Sequence, residues 1–239
     1  MRFIRGVALM VALMSTLLPP AFAAPSQQGA DVLAALSASA QAMDAATSLS
    51  FSGAMDVTVS AANGSTAMNM PMSGAYQAPD RMMMAVQMPD LGTSMEVVMV
   101  GGQVWKRTGR GPWKATPASS DAYASPLGMS HADWVASVTE PAVTDLGSSY
   151  RIDAGMDVSD ALKAGFTGAT GPGRSNASVD FSGTSAKIAL TIDKTTNYMM
   201  SMQMDLAFPM PDYSATMTMA MSISFAEFNS MAVDILPPV

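Results

Sequence analysis

The segment from residue 68 to residue 88 constrains the fold most, because methionine recurs there at every second position. Strict alternation of apolar and polar side chains over six or more residues is typical of a strand with one buried face. Two such runs flank a Pro-Asp turn at 79–80, and this arrangement predicts antiparallel neighbours. Methionine has a lower strand preference than valine or isoleucine, so its repeated use on an inward face requires a reason.

The same period of two recurs through most of the chain. An apolar stripe after a capping aspartate predicts a helix over 31–47, and capping residues predict two more, over 131–138 and 157–165. The elements indicate an α+β domain with a large curled antiparallel sheet of about 9–11 strands and two or three helices over its apolar face. Because these helices are a thin cover, either the sheet closes on itself or a cavity lies between sheet and helices. Strands are expected near residues 49–59, 68–77, 81–88, 95–100, 103–107, 113–114, 149–152, 177–181, 186–193, 198–208, 213–225 and 232–236.

The first residues indicate export. The chain starts with two arginines, which are followed by an apolar run over 7–18 and a small-x-small site at 21–23. This order is typical of a cleaved signal peptide. The sequence thus divides into a signal peptide, 1–23, and a single domain, 24–239. The apolar run is too short to span a membrane, and the sequence has no cysteine to carry a lipid anchor. We expect a soluble protein of the periplasm or another cell-envelope space.

Enzyme chemistry has little support in the residues. With one histidine, His131, and no cysteine, the sequence offers no nucleophile–base pair, and we expect His131 at a helix end or surface. The glycine-rich segment 167–174 lacks the Lys-Ser/Thr ending of a phosphate-binding loop. The net charge of −7 argues against nucleic acid, which binds basic surfaces. We expect a non-enzymatic monomer with no cofactor and no nucleic-acid partner.

The methionines of the predicted inward faces allow three interpretations. They can form an ordinary filled core, or a pliable cavity, since the unbranched thioether fits ligands of variable shape whereas a rigid core favours branched side chains. They can also be soft ligands for Cu(I), although such sites usually combine methionine with histidine or cysteine. Met68 lies on the same predicted face as the candidate ligand-binding residues. Those candidates are Met55, Met70, Met72, Met82, Met84, Met88, Met95, Met99, Met200, Met202, Met204, Met217, Met219 and Met221.

Several short motifs resemble one superfamily. After the export signal and the first helix come YQAPDRM at 76–82, VGGQVWKR at 100–107 and a closing FAEFNSMAVDILP at 225–237. This order is similar to the LolA-like superfamily of periplasmic lipoprotein carriers and the related LppX/LprG-type lipid-binding proteins. The similarity covers essentially the whole mature chain. Its motifs are short and structural.

The resemblance implies an unclosed half-barrel whose concave apolar side is capped by helices and holds acyl chains. It implies a carrier or chaperone for a lipid or lipoprotein, with a membrane-bound donor or acceptor protein. Many LppX/LprG-type proteins are lipid-anchored, so the missing cysteine makes this chain more similar to the soluble shuttles.

Arg81 is the arginine of the Pro-Asp-Arg element, and strand parity places it outward or at the rim. The loops 115–129 and 167–176 are candidate lids. The alternative is a non-enzymatic cell-envelope module with a filled methionine core.

Overall fold

The computed structural model describes residues 27–117, 138–157, 184–210, 214–230 and 234–238. These residues form one α-helix, eleven strands and a short 3₁₀ turn at Pro89–Leu91. The elements are α1 (Gln27–Ala45), β1 (Ser48–Ala61), β2 (Gly64–Gln77), β3 (Arg81–Met88), β4 (Thr93–Val100), β5 (Gln103–Thr108), β6 (Lys114–Pro117), β7 (Val138–Asp145), β8 (Ser149–Asp157), β9 (Ser185–Asp193), β10 (Met199–Met210) and β11 (Ala215–Ala226).

All eleven strands belong to one antiparallel sheet with the order β6-β5-β4-β3-β2-β1-β11-β10-β9-β8-β7. Each strand pairs with its neighbours in sequence, except at the centre, where β1 pairs with β11 from Ser50↔Ala226 to Ala61↔Ala215. Among the described strands, β6 and β7 are the two edges and do not pair, so the sheet is unclosed. The predicted class of sheet and the predicted number of strands are confirmed.

Strand β7 is the main element that the sequence pattern missed. Its register shifts between Thr139 and Ala142, and Glu140 between them has a positive φ of 49°. Pro141 follows in this bulge, and a proline within a strand is tolerated chiefly at edges and bulges. The bulge interrupts the alternation of apolar and polar residues, so no period of two is visible there.

Several other expectations differ from the structure or lie beyond it. The strand expected at 232–236 is not formed over 234–236. Four other predictions fall essentially outside the described residues: the two later helices, the strand at 177–181, the signal peptide and the lid at 167–176. The last residue of one predicted helix, 138, and the first residue of the other, 157, lie in strands. The other predicted lid, 115–129, begins inside β6, and the rest of it also lies outside the described residues.

Helix α1 packs against the sheet through one apolar face. Val32, Leu36 and Met43 form its buried stripe, at the i, i+4 and i+11 positions of one helical face. The helix packs mainly against β7 and β10. The first predicted helix is therefore present, whereas a cover of two or three helices over the whole concave face is not seen in the described part of the chain.

Two glycines inside central strands allow a close approach of neighbouring strands. A Cβ atom at Gly53 would overlap the carbonyl oxygen of Ser222 and lie 2.9 Å from the Cα atom of Ile223. A Cβ atom at Gly74 would overlap the ring of Phe51, its cross-strand partner. Glycines inside strands often mark bends or places where another backbone comes close, and an aromatic ring commonly covers them. By strand alternation both lie on the inward face.

Candidate functional site

The buried side chains form two clusters of different chemistry. The helix-side core packs α1 against β7–β11 and contains most of the isoleucine and leucine side chains, including Ile152, Ile188, Leu190, Ile192 and Leu206. The methionine core lies over β1–β5, and its described members are only methionine and valine. Branched side chains specify one packing, whereas methionine accommodates several, so the two halves differ in how easily they deform. The methionine core consists of Met55, Val57, Met70, Met82, Met84, Val86, Met88, Met95, Val97, Met99 and Val104.

A seam of partly buried side chains lies between the two cores. Its members pack against both clusters but are not fully covered themselves, and they come from β1, β2, β10 and β11 at the centre of the sheet. An apolar surface that stays partly exposed on an inward face can bind an apolar ligand. We call this set the methionine seam: Phe51, Met72, Met204, Met217 and Met219.

Strand register joins the seam to the methionine core. Met204 on β10 pairs with Met221 on β11, which pairs with Met55 on β1, which pairs with Met70 on β2. Directly opposite residues of antiparallel strands have Cβ atoms about 4.5–5.5 Å apart. Four thioether side chains therefore lie next to one another across four strands, and they form a continuous polarizable surface.

Thirteen of the fourteen candidate methionines lie on the inward face, where they are buried or half-buried. The prediction is wrong for Met200, which is 40% exposed, while Met199 is 4% exposed and takes the buried position. The register of β9 and β10 shifts between Met199 and Ser201, and such a bulge reverses the alternation on either side of it. Met200, Met202 and Met204 therefore do not share a face, which argues against one compact Cu(I) cluster built from these three.

Phe51 is the seam residue that the methionine pattern overlooked. Its position in β1, two residues before Gly53 and four before Met55, places it on the inward face, and this parity was visible in the sequence. The placement of its ring over Gly74 was not visible in the sequence, because the pairing of β1 with β2 determines it.

Arg81 has structural contacts on the outward face of the sheet, opposite the face that carries the methionines. Its Nη1 donates to Oδ1 of Asp234 at 3.1 Å and to the carbonyl oxygen of Ile235 at 3.3 Å. Ile235 is 2% exposed, so Arg81 holds a buried anchor of the chain that follows β11. His131, whose role the sequence left open, lies outside the described residues.

Groups with perturbed pKa values have local causes. Burial, followed by the charges of Asp44 and Asp80, raises the pKa of Tyr76, whose hydroxyl donates to the carbonyl oxygen of Pro79. Hydrogen bonds from Lys194 and from the amide of Gly147 lower the pKa of Asp145.

In the described part of the chain, no group of three or more His, Cys, Asp or Glu side chains could hold a metal ion. None of the helices described is long and apolar enough to cross a membrane.

No protein-family model matches the chain, and no curated protein matches its sequence. Solved structures that are similar to it include the lipoprotein LppX of Mycobacterium tuberculosis, with 12% identity and a TM-score of 0.47 over 87% of this chain and 99% of that one. LprF of Mycobacterium bovis has 13% identity and a TM-score of 0.45 over 90% and 99%. A LolA superfamily protein of Nitrosomonas europaea has 7% identity and a TM-score of 0.31 over 85% and 94%. These structures include members of the groups that the sequence motifs resemble.

Proposed function

We propose that this protein is an exported carrier or chaperone that binds acyl chains of a lipid or lipoprotein on the inward face of its sheet. The methionine seam is the observation that carries the proposal. Its five large apolar side chains face inward at the centre of the sheet and stay partly exposed between two buried cores. An acyl chain placed there would remove this surface from water.

The free energy of such binding comes from apolar burial. Each buried methylene contributes about 0.8 kcal/mol, so a chain of about 12 buried methylenes contributes about 10 kcal/mol. Lost translational and rotational freedom opposes this with a cost of about 4–15 kcal/mol. With a cost of about 4 kcal/mol, binding is favoured by about 6 kcal/mol, which corresponds to a dissociation constant on the order of 10⁻⁵ M. A cost above about 10 kcal/mol would require a longer buried chain.

The methionine core next to the seam supports an adaptable site. Four of the five seam residues are themselves methionine, and the Met204–Met221–Met55–Met70 row connects them to the deformable half of the sheet. Acyl chains differ in length and unsaturation, and flexible thioether side chains can repack around each of them. The helix-side core, rich in isoleucine and leucine, would keep the rest of the sheet rigid.

The proposal requires no covalent step. The perturbed carboxylates of the described residues, Asp145 and Asp193, accept hydrogen bonds in turns, so their lowered pKa values have a structural explanation. The predicted signal peptide would place the protein in the periplasm or another envelope space, as a monomer that meets a membrane-bound donor or acceptor. The rival function is a binding or structural module of the envelope whose buried methionine core admits no ligand.

Native mass spectrometry of the purified protein, followed by organic extraction, tests the proposal. An acyl lipid bound near one-to-one, or tight binding of a fluorescent fatty acyl probe to the stripped protein, would support it. If no lipid is found and the probe does not bind, the methionines form a filled core and the rival is correct.

A pair of matched variants locates the site. Met217→Gln combined with Met219→Gln keeps side-chain length but makes the seam polar, so we expect probe binding to weaken at least tenfold. Met200→Gln makes the same change on the outward face of β10 and should leave binding unchanged. Equal binding by both variants would show that the probe binds elsewhere. Far-UV circular dichroism controls for folding.

A further inference from the structure

Two lysines lie directly opposite each other at one end of the inward face. Lys106 on β5 pairs with Lys114 on β6. Lys106 also pairs with Val97 on β4, a buried member of the methionine core, so its side chain leaves β5 on the inward side of the sheet. By the same alternation Lys114 shares that side, and it is exposed at the edge strand.

This pairing places two positively charged side chains next to each other on the inward side of the sheet. Like charges directly opposite on neighbouring strands destabilise the pairing. The protein is acidic, with a net charge of −7, yet four of its 12 lysines and arginines lie within residues 106–114. Residues that break a local rule are often found at functional sites.

The neighbouring arginine has a different environment. Arg107 points to the outward face, where its Nη2 donates to Oε2 of Glu96 at 2.6 Å and its guanidinium lies 4.6 Å from the ring centroid of Trp113. The basic hairpin is therefore divided by strand alternation: Arg107 stabilises the outside, and the lysine pair faces the side with the methionines.

We propose that Lys106 and Lys114 bind the phosphate of an anionic headgroup whose acyl chain occupies the methionine seam. This inference rests on the proposed acyl-binding function. Lysine ammonium groups are compact charges with three donors each, and two of them on adjacent strands can contact one phosphate through charge-assisted hydrogen bonds. A phosphate bound in this way would lie between the two ammonium groups.

Strand register connects the two ends of this site. Starting from Lys114 and Lys106, the cross-strand row of paired residues continues through Val97, Met84 and Gly74 to Phe51 of the seam. Neighbouring strands are about 4.8 Å apart, so the distance from Lys106 to Phe51 across four spacings is about 19 Å. The headgroup end and the seam are thus separated by a length that one acyl lipid can span.

Protection of the sheet edge is the competing explanation. Charged side chains on an edge strand hinder edge-to-edge aggregation, and this accounts for Lys114 on β6. It does not account for Lys106, which is on the inward side of a strand paired on both flanks. Edge protection predicts that removing the lysines promotes aggregation and leaves ligand binding unchanged.

The test compares two amphiphiles with the same chain. Dodecyl phosphate and dodecyl maltoside are titrated into the stripped full-length mature protein by calorimetry, with inorganic phosphate as a third ligand. We expect the wild type to bind dodecyl phosphate about tenfold more tightly than the maltoside, as suits two partly exposed ionic contacts. Lys106→Gln combined with Lys114→Gln should bring the ratio close to one and leave maltoside binding unchanged.

Two control variants and the other outcomes complete the test. The exposed Lys187→Gln on β9, and the charge-preserving Lys106→Arg with Lys114→Arg, should both keep the preference for phosphate. An unchanged ratio in the glutamine double variant would overturn the lysine proposal while acyl binding stands. If inorganic phosphate binds as tightly as dodecyl phosphate, the pair is a free-phosphate site and the headgroup assignment is wrong. If neither amphiphile binds the wild type, the carrier function itself fails.

Discussion

Substitution of Gly53 by alanine tests whether the centre of the sheet is as tightly packed as the structure indicates. The added Cβ atom would overlap the carbonyl oxygen of Ser222 and lie 2.9 Å from the Cα atom of Ile223, where ordinary contact begins near 3.4 Å. Both obstacles are backbone atoms of β11, so no side-chain rotation can remove the clash. The overlap with the carbonyl oxygen is the more severe of the two, so the strand itself must move by more than about 1 Å, a backbone shift of the kind that overpacking forces on a core.

The expected effect follows from two opposing contributions. Overpacking costs about 1–3 kcal/mol, while replacing glycine lowers the entropy of the unfolded chain and returns about 0.4–1 kcal/mol. The net loss in the free energy of unfolding is about 1–2 kcal/mol. For a domain of about 200 residues, each kcal/mol lowers Tm by about 2–4 °C, so the variant should melt about 2–8 °C below the wild type.

Urea denaturation and differential scanning calorimetry measure this loss. Ser52→Ala is the control, because Ser52 is the exposed neighbour on the same strand and its change should stay within about 0.5 kcal/mol. An unchanged or higher Tm for Gly53→Ala would refute the reasoning, since it would mean that β1 and β11 do not approach each other closely at this point.

Two further predictions concern the ligand and pH. Shortening a saturated fatty acyl ligand by two methylenes should weaken binding about tenfold if the chain is buried, because about 0.8 kcal/mol is lost per methylene. Competition binding with a series of chain lengths measures this, and an affinity that does not change with chain length would contradict burial. Hydrogen bonds from Thr196 and Thr195 lower the pKa of Asp193 below its ordinary value of 3.8, so its stabilising contribution is complete above that value and is lost as pH falls through the lower folded pKa. Asp193→Asn should therefore reduce the fall in stability below about pH 4, measured by urea denaturation at several pH values.

Much of the sheet could be predicted from the sequence because alternation directly reports which side chains face inward. Met82, Met84 and Met88 are buried, as their spacing predicts, since β3 has no irregularity in its pairing. Alternation fails wherever a bulge adds a residue: it placed Met200 inward, and it hid β7 around Pro141. A bulge depends on the partner strand, which the local sequence does not specify.

The candidate site was predictable only in part. The methionines were identified from their spacing, but alternation alone does not distinguish the buried methionines from the partly exposed ones of the seam, because this difference depends on what packs over each strand. The opposition of Lys106 and Lys114 depends on the register of β5 and β6. Seven residues lie between these lysines in the sequence, and only the hairpin geometry determines that they become direct neighbours.

The pairing of β1 with β11 has a consequence for how the protein reaches its folded state. Strands β1–β6 and β7–β10 each pair with their sequence neighbours, but the two halves meet through contacts such as Ser50↔Ala226, which join distant parts of the chain. Contacts of such long sequence separation form slowly, because the loop between them must be closed first. Until β11 is available, β1 and β10 are open edges beside exposed methionines, and such edges are prone to aggregation. A newly synthesised chain therefore passes through an interval in which this apolar surface is exposed and association with other apolar molecules competes with the pairing of β1 and β11.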